Sequence, residues 1–157
     1  MMSEEAFGNL LYDIKRALEA WADQHRTAAE IIIEDDPSYW RIHAFPSEAA
    51  LCPVELVLRP DRNYDLVIDN ASLEDQPIER FDLLTELFDA IAAGKPVVRT
   101  FASQATQQLL GTRTIVALSD GSEWRVDQLT LLGEKLGLEG AIVTERRFAS
   151  YDVRQQS

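Results

Sequence analysis

Along residues 4–25 the apolar side chains recur every three or four positions, and from residue 30 to residue 70 they gather in four short strand-like segments. That switch of pattern constrains the fold more than any single motif. Phe7, Leu10, Leu11, Ile14, Leu18 and Trp21 form one stripe, the mark of an amphipathic helix. Ser3 stands where an N-cap is wanted, and Glu4 and Glu5 suit the positive end of the helix dipole. His25 and Arg26 fall at the negative end, where a cation is favoured.

Four strand-like segments follow. Glu30–Glu34 and Tyr39–Phe45 are joined by Asp35-Asp36-Pro37-Ser38. Pairing Glu34 with Tyr39 sets Ile33 opposite Trp40 and Ile31 opposite Ile42, which collects apolar groups on one face. Residues 46–53 form a loop bracketed by prolines. Val54–Arg59 and Tyr64–Asn70 make a second pair. A three-residue loop of Asp61-Arg62-Asn63, with Asn63 in the left-handed region, sets Leu58 opposite Leu66, Arg59 opposite Asp65 and Glu55 opposite Asp69.

A second helix is expected over 77–93, with Asp75 or Gln76 as its cap. Phe81, Leu84, Leu87, Phe88 and Ile91 would be its buried stripe, and Gly94 with Pro96 its stop. Residues 96–102 read as a strand, and residues 103–111 read equally as strand or short helix. Ile115–Val126 reads as a hairpin about a two-residue Asp120-Gly121 turn, pairing Ala117 with Trp124 and Ile115 with Val126. A short third helix over 127–136 would turn Leu129, Leu132 and Leu136 inward, although Gly133 weakens it. Residues 141–153 read as a last strand, broken at Arg146-Arg147.

Runs of strands punctuated by helices predict an α+β fold. It would have a mostly antiparallel sheet of about seven to eight strands, with two long amphipathic helices on one face and a short third helix. A length of 157 residues suits one domain, expected over 1–153 with a disordered tail at 154–157. Cys52 is the only cysteine, so no internal disulfide can form. The first residues lack the basic and apolar regions of a signal peptide, and no apolar run approaches the ~18 residues of a membrane span. A cytoplasmic location is the expectation.

Charge is distributed unevenly. Residues 1–36 carry nine acids and three bases, and residues 71–96 carry six acids and two bases, while residues 97–126 carry two acids and three bases. Acidic helix faces (Glu4, Asp13, Glu19, Asp23, Glu79, Asp82, Glu86, Asp89) point to a basic protein partner and away from nucleic acid or an anionic membrane.

Motifs that carry chemistry are missing. No glycine-rich phosphate loop, G-x-S-x-G, H-E-x-x-H or CxxC occurs, so neither a cofactor nor a metal is expected. Asp35-Asp36 lack EF-hand spacing and read as a solvated turn. Cys52, in apolar company, reads as a small core residue, and Trp21, Trp40 and Trp124 fall on core faces. The polar face of the first four strands gathers Glu30, Arg41, His43, Glu55, Arg59, Asp65 and Asp69. As a binding surface it would use Glu30, Arg41, His43, Arg59 and Asp65. As a catalytic one it would use His43, Glu55 and Asp69, because facing carboxylates raise at least one pKa and a histidine can shuttle protons.

The leading expectation is a small acidic interaction protein, a homodimer without catalysis. Two such proteins could pair through an antiparallel edge strand. In element order and charge the chain resembles type III secretion chaperones, which implies a chaperone-like acidic dimer. No motif is shared, and the strands after the second helix depart from that pattern. An immunity or antitoxin-like protein that neutralises a basic toxin fits the same charge. The alternative class is an enzyme or small-ligand binder that uses the polar sheet face.

Overall fold

A computed structural model describes residues 2–79 and 81–152. The expected tail at 154–157 lies outside the described residues, as does the side chain of Phe81. The fold is α+β, with nine strands in two antiparallel sheets among the described residues. Helix α1 (Glu4–His25) leads into β1 (Ala29–Asp36), β2 (Tyr39–Pro46), β3 (Val54–Leu58), β4 (Asn63–Ile68) and β5 (Ala71–Pro77). These five strands form a meander in chain order. Helix α2 (Phe81–Ala92) precedes β6 (Val97–Ala102), β7 (Leu109–Ala117) and β8 (Glu123–Leu129), then α3 (Leu131–Leu136) and β9 (Ile142–Arg147). The second sheet has the order β8-β7-β6-β9. One sheet flanked by helices was the expectation; the chain divides its strands between two.

The expected cap of α1 is present: Ser3 Oγ accepts a hydrogen bond from Ala6 N at 3.1 Å. Phe7, Ile14, Leu18 and Trp21 are buried against α2 and the apolar face of the meander. His25 is buried too, only 6% exposed, with its ring centroid 5.0 Å from that of Trp21 and 5.6 Å from that of Tyr151. It belongs to the core, and the expected role as a cation at the helix end does not hold.

Both meander hairpins have the expected faces and registers that differ by two residues. Asp36 opposes Tyr39 across the Pro37-Ser38 turn, which sets Ile33 opposite Ile42 and Glu34 opposite Arg41. The Asp36 carboxylate accepts from both Ser38 N and Ser38 Oγ, so the aspartate builds a tighter turn than the four-residue one expected. In the second hairpin Leu58 opposes Tyr64 and Leu56 opposes Leu66. The left-handed residue is Arg62 (φ 68°), not Asn63. Glu55 consequently faces His43 and Val67, and Asp69 lies past the end of β4. A two-residue slide preserves the side-chain faces because the strand period is two.

The β7–β8 hairpin slips by one residue, and there the faces invert. Leu118 N donates to Ser122 O, closing a three-residue turn with Gly121 at φ 87°. Val116 now opposes Trp124 and Thr114 opposes Val126 on the core side. Ile115 and Ala117, expected inside, lie on the other face.

Strand β5 has no expected counterpart. Its sequence Ala-Ser-Leu-Glu-Asp-Gln-Pro lacks alternation, but an edge strand needs only one buried side, here Ala71 and half-buried Leu73. Asp75 and Gln76 therefore belong to β5, and α2 starts at Phe81. Residues 103–108 form a loop before β7. Residues 127–129 extend β8, and the helix at 131–136 leaves Leu129 and Leu136 exposed, with Leu132 only partly covered. Gly133 is what lets α3 lie on β7: a Cβ there would sit 1.9 Å from the Leu110 carbonyl oxygen.

After β9 the chain turns inward. Tyr151 is fully buried against Trp21 and His25, and its hydroxyl donates to Cys52 O. Leu84, Leu87, Phe88 and Ile91 of α2 join the same core, as do Val116, Trp124 and Val126 of the second sheet.

Candidate functional site

The outer face of the meander carries two ion-paired clusters. Arg41, central on β2, is the hub of the first. Its Nε donates to Glu55 at 2.8 Å, and its guanidinium also pairs with Glu34 across the β1–β2 ladder. Tyr39 Oη donates to the same Glu34 at 2.9 Å. His43 Nδ1 lies 2.8 Å from Arg41 Nη2 and 3.2 Å from Glu55 Oε2. The guanidinium can only donate to Nδ1, while the Glu55 carboxylate can only accept from it, so the two neighbours favour opposite tautomers of the ring. The ring stacks on exposed Phe45 with centroids 3.5 Å apart.

The electrostatics agree with a neutral ring. Desolvation pushes the His43 pKa below the ordinary histidine value; Glu55 opposes this and Arg41 adds to it. Hydrogen bonds from Tyr39 and Arg41 hold the Glu34 carboxyl below the usual range, and the Tyr39 phenol is raised in return.

Arg59 centres the second cluster, beside the β3–β4 turn. Its Nη1 donates to both oxygens of Asp65, at 2.8 and 2.7 Å, and its Nη2 pairs with Asp75. Asp75 N donates to Asp65 at 2.7 Å, and Asn63 donates to Asp75 at 2.9 Å. Asp75 holds φ 58° and is supported by both contacts.

Of the residues singled out from sequence, Arg41, His43 and Glu55 come together, as do Arg59 and Asp65. Glu30 is exposed opposite Phe45 and takes no part in the described pairs of either cluster. Asp69 is separate: its φ is 55° and its carboxylate lies 3.6 Å from Arg146 of β9 in the other sheet. The expected convergence of His43, Glu55 and Asp69 therefore does not occur. None of the principal cavities is lined by His43 or Glu55. The two clusters lie on an open sheet face and spend their hydrogen bonds on each other. Such surface pairs contribute about 0–1 kcal/mol each. Cys52 is fully buried, and burial pushes its thiol up to about 12, which rules it out as a ready nucleophile.

An open acidic trough lies elsewhere. Between α2 and the end of β7 is a trough of about 600 Å³, lined by Asp82, Glu86 and Asp89 with Lys95 and Ser119. Glu86 accepts from Ser119 N, which fastens the β7–β8 turn to the helix and lowers the Glu86 pKa. The helical spacing made the three acids visible in the sequence. The far wall depends on a turn register that the sequence did not disclose.

Burial likewise makes His25 titrate below its ordinary value of 6.5, against the opposing pull of Asp152 and Asp89. Above that value the neutral ring is favoured in both folded and unfolded chains. As the pH falls through 6.5 the unfolded chain takes up the proton first, so stability drops until the folded value is also passed. Stability is thus expected to fall between about pH 7.5 and about pH 5.5, with a shallower fall in His25→Phe. His43 titrates with the same sign and leaves a residual slope. Denaturant midpoints across that window check this, and equal slopes in the two proteins would contradict it.

Among the described residues no helix is long and apolar enough to cross a membrane. Comparison with known proteins found no matching family model, no matching curated relative and no matching solved structure.

Proposed function

We propose that this protein is a non-catalytic interaction module that binds a basic protein segment across the acidic outer faces of α1 and α2. The supporting observation is the partition of charge. Residues 1–96 hold twenty acids and eight bases, whereas residues 97–157 hold seven of each. The whole formal charge of −12 therefore resides in the part of the chain that builds the meander and the two long helices. Glu4, Asp13, Glu19, Asp23, Glu79, Asp82 and Asp89 are exposed there, and the α2 trough offers a concavity for a lysine or arginine side chain. A cytoplasmic chaperone for a secreted protein, or an immunity or antitoxin-like protein, would work in this way. The enzyme or small-ligand reading has less support, since Asp69 stands apart from His43 and Glu55 and the two clusters are internally paired.

The test is affinity capture from source-cell lysate at low and high salt, with mass spectrometry of what is retained. Binding of this kind is screened over about 10 Å at 0.1 M salt. A basic protein held at low salt and released at high salt is expected. The double variant Asp82→Lys, Asp89→Lys should weaken its capture about tenfold or more, because both residues are exposed and both signs reverse. Capture that ignores salt and charge reversal would refute the reading.

A further inference from the structure

The two sheets have four edges, and three of them are covered or blunted. At β1, Arg26 donates to the Ile31 carbonyl at 3.1 Å, and Glu30, Glu34, Asp35 and Asp36 crowd the strand with charge. Strands β5 and β8 lie against each other. Strand β5 is also bulged and ends in a proline. These are the ways proteins keep strand edges from pairing. Strand β9 differs. It is paired on one side only, to β6, and all six of its residues are exposed, including Ile142 at 43% and Val143 at 50%. Among the described residues its first half, Ile142-Val143-Thr144, is the uncharged, β-branched stretch of open edge, with Glu145, Arg146 and Arg147 following it.

We propose that β9 pairs antiparallel with β9 of a second copy about a two-fold axis at Val143, joining two four-stranded sheets into one of eight strands. Charge selects a second copy over a basic partner. Two acidic molecules repel through the part that carries −12, and β9 belongs to the part of the chain whose formal charge is zero. A basic partner gains nothing at such a surface and more at the helices.

Symmetry then selects the register. A two-fold axis perpendicular to the sheet keeps each side chain on its own face, so residue pairs must share parity. An axis at Glu145 would set two carboxylates opposite each other. An axis at Thr144 would set Val143 against a carboxylate. At Val143 the valines oppose each other and Ile142 opposes Thr144, and Glu145 falls opposite Ala141, outside the strand. Leu129, Gly111, Phe101 and Val143 already form one row across β8, β7, β6 and β9. The Leu129 side chain covers Gly111, 2.8 Å from where a Cβ would be. The axis at Val143 continues this row into the second copy. It also leaves Arg146 free to keep its bonds to Ala49 O and Asp69.

The inference is independent of the acidic-face reading, and its test separates the two. An edge of this size falls at the small end of interface areas, so a concentration-dependent dimer is expected by light scattering. Opposed Cβ atoms in an antiparallel pair lie about 4.5–5.5 Å apart, near the reach of a disulfide. Val143→Cys should therefore form a covalent dimer under mild oxidation, much faster than Leu136→Cys, an exposed control on α3. Buried Cys52 does not interfere. Val143→Lys should be monomeric, with the wild-type thermal midpoint at dilutions where the wild type is itself monomeric, and Asp82→Lys with Asp89→Lys should still dimerise. A chain monomeric to about 1 mM overturns the proposal, as does a Val143→Cys protein that cross-links no faster than the control.

Discussion

Trp21→Ala is expected to destabilise the protein by about 3–5 kcal/mol, the range for removing a large aromatic from a packed core. Three parts of the chain meet on this indole. Its Nε1 donates to Phe88 O of α2 at 2.9 Å, and its ring meets Phe88 edge-on with centroids 5.0 Å apart. Its other neighbours are His25 of its own helix and Tyr151 of the C-terminal segment. Truncation opens a cavity at the junction of α1, α2 and that segment, and backbone elements on three sides limit collapse. Domains of this size hold about 5–15 kcal/mol in total, so the variant should unfold at far lower guanidinium. Trp21→Phe keeps most of the ring contacts and loses the hydrogen bond, an effect of about 1 kcal/mol plus a smaller cavity. Guanidinium unfolding followed by circular dichroism separates the two. A loss in Trp21→Ala below about 1 kcal/mol would show that the indole is not the junction described.

Gly94→Ala should be nearly as damaging, at about 2–4 kcal/mol, from two sources. The residue ends α2 with Gly94 N bonded to Ile91 O and Lys95 N bonded to Ala90 O, at φ 76°. A side chain in that left-handed conformation costs about 1–2 kcal/mol. The added Cβ would also lie 2.7 Å from Ala149 C and Ser150 N, backbone atoms of the segment that delivers Tyr151 to the core. Overpacking of this kind costs about 1–3 kcal/mol. Gly121→Ala supplies the comparison, because φ there is 87° but nothing lies within 4 Å. Its loss should stop at the conformational cost. Amide exchange at residues 148–152 should quicken in Gly94→Ala and stay unchanged in Gly121→Ala. Equal losses in the two variants would mean that the close approach carries no weight.

The fold class and the meander faces were readable because the pairings of Ile31, Trp40, Ile42, Leu56 and Leu66 collect apolar groups on one face while most of the charged residues fall on the other. What hid the registers was turn chemistry. Asp36 and Asp120 each accept from a serine two residues on, and such local bonds reset where pairing starts. In the meander the shift was even, so it kept the faces while it undid the expected pairing of Glu55 with Asp69. At Asp120 it was odd, and it sent Ile115 outward. Strand β5 was hidden for another reason: an edge strand with one covered side needs little apolar pattern. Of the site, the Arg41–His43 grouping followed from alternation, whereas Arg59 was expected directly opposite Asp65 and instead reaches it from beyond the end of β3, with Val57 opposite Asp65. The place of Asp69 did not follow, because it depends on Arg146, whose approach belongs to packing between the sheets.

The connectivity of the two sheets also sets an order of assembly. In the meander each strand pairs with its neighbour in sequence, so its loops are short and their closure entropy small. Strand β6 pairs with β7 next in sequence, but its other side must wait for β9, with Arg99 reaching Glu145 across 46 positions and Tyr151 following β9 in the chain. Contacts of such high separation close late and raise the folding barrier. The last structure to form is therefore the first to be released on unfolding, and the lifetime of the native state is governed by the C-terminal clasp more than by the meander.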